Sequence, residues 1–317
     1  MSTLPVCRAA ELAACPAERR WLVEGLWAAQ AVGILGGEPK CCKSFLALDL
    51  AVAVASGAAC LRAFRPMQTG PVLLFAAEDA LHLVRERLAG IARAAAVSFA
   101  ALDVHVITAP SVRLDLAEDQ RRLAATVAAL RPKLLILDPF VRLHRIDENV
   151  AAEVAPLLAY LRDLQRRFQT AVLLVHHARK GAAHVRAGQA LRGSSELHAV
   201  GDSNLYLRRR GDDLLLSIEH RAAPSTDGIA VELRAEGDAL ALHVVEPAAA
   251  YGSPLSTAPT LSERIEHALA ASPSPLTLRE LRRVCRMRMS SLCDALAALL
   301  AERRVLRSAA GYQLADR

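Results

Sequence analysis

Aromatic side chains are scarce in this 317-residue chain: two Trp, four Tyr and six Phe, 4% of the total. Proteins that hold single-stranded nucleic acid by stacking its bases need platforms of such rings, so the composition weighs against that mode of binding. Metal-type or redox-type cysteine spacing is missing as well. The seven cysteines stand at positions 7, 15, 41, 42, 60, 285 and 293, an odd number with no C-x-x-C among them. They read as free thiols of a reducing compartment. The longest apolar stretch, 44–60, is interrupted by Asp49 and Ser56 and suits a buried helix rather than a membrane span. The first twenty residues carry Glu11 and Glu18 and lack the apolar core of a signal peptide. These absences predict a cytoplasmic protein without a membrane partner.

What is present bounds the fold. Hydrophobic residues make up 53% of the chain and charged residues 23%, which excludes a mainly disordered polymer and supports one large domain with room for a smaller one. The net charge of +6, from 39 Lys+Arg against 33 Asp+Glu, permits a nucleic-acid partner without demanding one.

Hydrophobic periodicity divides the chain. In residues 1–30, an N-terminal amphipathic segment, Trp21, Leu22, Val23, Leu26 and Trp27 are spaced for one helical face. From residue 31 short apolar runs alternate with helical patterns. Strands are expected at Ala31–Leu35, Val72–Ala76, Val104–Thr108, Leu134–Leu137 and Ala171–Val175. Helices are expected at Lys43–Ser56, Ala80–Val97, Ala117–Leu130 and Ala151–Phe168. This alternation predicts an α/β fold with a mostly parallel sheet covered on both faces. Four further strands, Ser203–Arg208, Asp213–Glu219, Ile229–Ala235 and Leu240–Val245, follow with short connections and are expected to finish the sheet antiparallel. The first domain thus runs over 31–246, an Ala/Pro/Ser-rich linker over 247–259, and a last unit over 260–317.

The strongest local signal is Gly37-Glu38-Pro39-Lys40-Cys41-Cys42-Lys43-Ser44, between a strand and a helix. A phosphate-binding loop needs that context, because the free N–H groups and the dipole of a helix N-terminus attract anions. Gly37, Lys40, Cys41, Cys42, Lys43, Ser44 and Phe45 are the expected ATP-binding residues. Lys43 is placed to reach the β- and γ-phosphates and the Ser44 hydroxyl to ligate Mg2+. Cys42 occupies the position of the second glycine of the GxxxxGK[ST] pattern, at a cost on the order of 1 kcal/mol if its φ is positive.

Ligands of an open parallel sheet sit beyond the carboxyl ends of the strands. Glu78 and Asp79 follow one apolar run there, Asp138 a second, and His176 and His177 a third. Asp138 is the candidate metal carboxylate, and Glu78 the candidate base that polarises the attacking water. Asp79 is expected to cap the following helix. His176 is the candidate contact to the γ-phosphate, ahead of His177.

Together these residues resemble the RecA-like hexameric helicase ATPases of the plasmid RepA type and, more distantly, the DnaB-type replicative helicases. The likeness spans roughly residues 20–245. It implies a RecA-like P-loop core, Lys43 and Ser44 as the loop lysine and hydroxyl, Glu78 as catalytic glutamate, Asp138 as magnesium aspartate and His176 as sensor. It also implies a ring, of hexamer type, in which an arginine from the next subunit completes each site. Arg221 is the first candidate, at the place of a Lys-x-Arg pair whose lysine is Glu219 here. Arg208 to Arg210 are the second.

Between His177 and Glu196 lie Arg179, Lys180, Arg186 and Arg192 without an acidic residue. In rings of this type the corresponding loop faces the channel, where it would track phosphates of single- or double-stranded DNA without reading sequence. Residues 260–317, with ten basic and six acidic residues, resemble a winged-helix module that serves either duplex binding or protein docking. Three functions fit: a replicative helicase of a plasmid or mobile element, a DNA-dependent ATPase acting on replication or transposition proteins without unwinding, and a nucleotide-binding scaffold with weakened hydrolysis.

Overall fold

Runs such as Val72–Ala76 and Leu134–Asp138 are buried at every position but the last, as strands covered on both faces are. The computed structural model describes residues 4, 6–14, 16, 19–177, 201–210, 213–245, 261–272, 274–285, 292, 295–297, 299–300, 304–308 and 311–315. The chain forms two compact units, Met1–Gly252 and Ser253–Arg317.

The first unit opens with a small hairpin, β1 (Trp21–Val23) and β2 (Trp27–Ala28). This corrects the amphipathic helix expected for the N-terminal segment. Leu22, Val23, Leu26 and Trp27 are all buried, as one helical face would also bury them, so the spacing alone does not tell the two forms apart. Gly25 makes the turn at φ 67, and Leu22 and Glu24 bond backbone to backbone with Met67 and Arg65. Tertiary pairing thus overrides the local period.

The central sheet is built from β3 (Val32–Gly37), β4 (Val72–Ala76), β5 (Val104–Val106), β6 (Leu134–Asp138), β7 (Ala171–His177), β8 (Ser203–Arg210), β9 (Asp213–His220), β10 (Thr226–Glu236) and β11 (Ala239–Val244). Its order is β11-β10-β9-β8-β3-β7-β6-β4-β5. The six strands from β8 to β5 run parallel, and β9 to β11 add antiparallel at one side. The helices α1 (Lys43–Ser56), α2 (Leu81–Ala94), α3 (Ala117–Leu130) and α4 (Ala151–Phe168) cover the sheet.

Strand side chains alternate between two cores. Leu35, Val72, Leu74, Leu134, Ile136, Leu173, Val175, Leu205 and Leu207 pack with α1 and α2. Val32, Ile34, Leu73, Phe75, Leu135, Leu137, Val172, Leu174 and Tyr206 pack with α3 and α4. The strand that carries the loop lies against β8 at close range. A Cβ at Gly33 would stand 1.7 Å from the Ser203 carbonyl oxygen, and one at Gly37 would stand 2.4 Å from that of Leu207. Only glycine permits these approaches.

The second unit contains α5 (Leu261–Ala270), α6 (Leu278–Cys285) and a hairpin of β12 (Val305–Ser308) with β13 (Gly311–Leu314). Thr277 and Glu280 start α6 with a reciprocal cap: the Thr277 hydroxyl accepts the Glu280 N–H, and the Glu280 carboxylate accepts the Thr277 N–H at 2.8 Å. Ile265, Leu269, Leu281, Leu292, Leu296, Leu299 and Val305 form its own small core.

Candidate nucleotide site

β3 ends at Gly37, and α1 begins at Lys43 after a tight loop. The loop turns into the helix at Cys42, which has φ 63 and ψ 23, the left-handed region. The substituted glycine position therefore does carry the positive φ that makes a Cβ costly. Lys40 is left-handed too, at φ 61. The first bond of α1 runs from the Leu46 N–H to the Cys42 carbonyl, 3.1 Å. The amides of Lys43, Ser44 and Phe45 thus precede the first intrahelical donor and are open to an anion. Lys43 is buried, and its Nζ folds over the loop to donate to the Glu38 carbonyl at 2.8 Å.

A cleft of about 280 Å³ opens above this loop. Lys40, Cys41, Cys42, Lys43, Ser44 and Phe45 line one side, and Glu78, Asp79, Arg87, Asp138, Val175 and His177 complete it. The parallel register sets Ala76 beside Asp138, and the Ala77 N–H donates to the Asp138 carbonyl at 2.7 Å. That pairing delivers Glu78 and Asp79 to the edge where Asp138 stands.

Asp138 shares the parity of Leu134 and Ile136, so its side chain faces α1, and it lines the cleft together with Ser44. Burial raises its pKa to about 6; the nearby Ser44 hydroxyl and Lys43 oppose that rise, while Asp79 and Glu78 add to it. A half-buried carboxylate held ionised among other carboxylates is relieved by a cation. The oxygen donors of Ser44 and Asp138 fit magnesium, a hard ion that prefers such ligands.

Two arginines that the sequence reading did not single out steer the acids. Arg142 donates from Nε to Glu78 at 2.8 Å. Arg87 pairs with Asp79 and lies 5.2 Å from the centroid of the Phe45 ring. Asp79 does not cap α2, whose N-cap is Ala80.

The two histidines part company. His177 follows Val175 in parity and lines the cleft. His176 lies on the other face, 1% exposed, with its Nε2 3.8 Å from Glu148 and its ring edge-on to Phe140. Glu148 also approaches His144 Nε2 at 3.2 Å. The structure therefore brings His177, rather than His176, beside the phosphate loop. Strand parity, counted back from Asp138 and Val175, is the sequence signal that separates them.

Arg221 stands far from the cleft of its own chain. It follows β9, whose last residue, His220, pairs with Ser203 at the start of β8. The loop strand meets the other part of β8, with Gly37 level with Leu207, roughly 13 Å further along. Arg221 contacts Asp202 at 3.5 Å; Asp202 also pairs with Arg162 and accepts the Val32 N–H at 3.1 Å. Arg208 reaches Asp227, whereas Arg209 is exposed at the loop end of β8. Arg179, Lys180, Arg186 and Arg192 lie outside the described residues.

A family description, AAA domain, matches residues 2–183, more than half of the chain and all of the loop, Glu78, Asp138 and His177. The chain belongs to the AAA domain family. With the loop geometry, that membership makes it a P-loop ATPase. Among solved structures, the crystal structure of the RadB recombinase is similar at 16% identity and a TM-score of 0.48, over 69% of this chain and 92% of that one. No helix among the described residues is long and apolar enough to cross a membrane.

Proposed function

We propose that this AAA domain protein is a RecA-like, Mg2+-dependent ATPase that works as a ring on DNA, as a replicative helicase of a plasmid or mobile element. The observation that carries the reading is the cleft itself: Ser44 and Asp138 line it beside the buried Lys43, with Glu78 just past the neighbouring strand. Ser44 and Asp138 would hold the metal ion, which would supply positive charge to the triphosphate. The amides at the start of α1 and Lys43 bind and orient the triphosphate. Glu78 takes the proton of the attacking water, and Arg142 holds that carboxylate in place. His177 faces the γ-phosphate.

Ring assembly suits Arg221. Its position opposite its own loop is the one from which it can serve only the site of another subunit. Arg179, Lys180, Arg186 and Arg192 supply the channel-side contacts to DNA phosphates, and the 260–317 unit, read as a winged helix, docks DNA or a partner protein. A second reading, a DNA-dependent ATPase regulating replication or transposition proteins without unwinding, shares the same cleft. The Cys42 departure keeps a third in play, a scaffold with weak hydrolysis.

ATP turnover titrated with single- and double-stranded DNA, together with native mass, tests the proposal. Stimulation by DNA in a ring-sized oligomer supports it. Turnover indifferent to DNA in a monomer overturns it. Unwinding of a forked duplex then separates the helicase from the regulator.

A further inference from the structure

One exposed cation at the loop end of β8, Arg209, lies outside the lining of the cleft and has no part in the chemistry proposed above. β8 runs parallel to the loop strand, with Leu205 beside Leu35 and Leu207 beside Gly37. Leu205 and Leu207 face the α1 core, and Tyr206 faces the other. Arg209, two residues past Leu207, is thus on the α1 face, just beyond the level at which the phosphate loop leaves the sheet. That face is the one on which α1 starts, with Cys42 at its N-cap. Among the described residues Arg209 has no carboxylate partner, unlike Arg208 with Asp227.

The sheet order gives the site two ends. Asp138 and Glu78 belong to strands on one side of β3, in the order β3-β7-β6-β4, and Arg209 to β8 on the other. The metal and the reacting γ-phosphate belong with the carboxylates. What crosses the loop toward β8 is the opposite end of the polyphosphate.

We propose that Arg209 binds the nucleotide in cis, as a charge-assisted contact to the diphosphate portion shared by ATP and ADP. This rests on the phosphate-loop reading above. It takes Arg209 out of the second set of arginines, Arg208 to Arg210, expected to act across subunits: a contact to the α/β end strengthens ground-state binding and leaves the chemical step alone.

The test is calorimetric titration of the full-length chain with Mg-ADP and with Mg plus a non-hydrolysable ATP analogue, alongside steady-state turnover. Arg209→Ala is expected to weaken both ligands alike, by about tenfold. Arg209→Glu should weaken them further, and Arg209→Lys should stay within about threefold of the parent because the charge is kept. Turnover at saturating ATP should change by less than about twofold. Because Arg209 is exposed, the variants should keep the parent melting temperature. Lys43→Ala serves as reference. If Lys43→Ala loses binding while Arg209→Ala keeps the parent affinity for both ligands, the Arg209 contact is wrong and the loop reading stands. If Lys43→Ala binds normally, the loop reading falls and Arg209 with it. A turnover defect in Arg209→Ala that is recovered by mixing with Lys43→Ala protein would make Arg209 an across-subunit residue and overturn the proposal.

Discussion

The two parts of the sheet use the same backbone material for different ends. In the parallel part, β3, β4, β6 and β7 are buried on both faces, and their chemistry is confined to the last one or two residues of each strand. In the antiparallel part, β10 is buried only at scattered positions, and arginines are distributed at both ends of the β8–β9 pair. A parallel strand can offer its neighbours in the sheet only one carboxyl edge, so its functional groups converge. An antiparallel pair has groups at both edges, so the same two strands place Arg209 at the loop and Arg221 at the opposite rim. The parallel part gathers a cleft, and the antiparallel part reaches outward.

Substitutions can break that contrast. Lys43→Ala strikes the centre of the parallel edge and should raise the Kd for ATP at least about a hundredfold, read by titration calorimetry. Normal binding would mean that nucleotide is held elsewhere. Arg221→Ala probes the outer rim. Its turnover should fall by about 10³-fold while nucleotide binding stays within about threefold, and mixing with Lys43→Ala protein should restore part of the rate. No recovery in any mixture would remove the rim from the chemistry. Glu78→Gln should lower turnover about 10²–10⁴-fold with ATP binding retained. Hydrolysis at the parent rate would hand the base to another group. Cys42→Gly, at the seam between strand and helix, is the mildest. Relief of a left-handed Cβ should stabilise the chain by on the order of 1 kcal/mol and raise its melting temperature by roughly 2–4 °C. An unchanged or lower melting temperature would show that the thiol packing of Cys42 outweighs its backbone strain.

The parallel part was the more legible in sequence, for the same physical reason. Continuous apolar runs mark Val72–Ala76 and Leu134–Asp138 with little error, and α1, α3 and α4 start and stop where their periodicity does. The phosphate loop could be read because its chemistry is local, eight successive residues between a strand and a helix. The segment around Trp21 could not, because Leu22 and Glu24 take their partners at Met67 and Arg65. Arg142 escaped notice because it meets its acid only through the fold, 64 residues from Glu78, whereas Arg87 is only eight residues from Asp79 and lay within reach of the helical register of α2. His177 was within reach, since alternation along β7 alone assigns it to the face of Val175.

Asp202 gathers three lines of force. Its carboxylate takes the Val32 amide at the foot of β3, the guanidinium of Arg162 on α4, and that of Arg221 at the rim; its main-chain oxygen takes the Arg221 amide at 2.9 Å. Val32 and Gly37 are the two ends of one six-residue strand. In mechanical terms the junction is a fulcrum. A load applied to Arg221 from outside the chain bears on the foot of the rigid rod whose tip carries the phosphate loop, and α4 is braced against the same point.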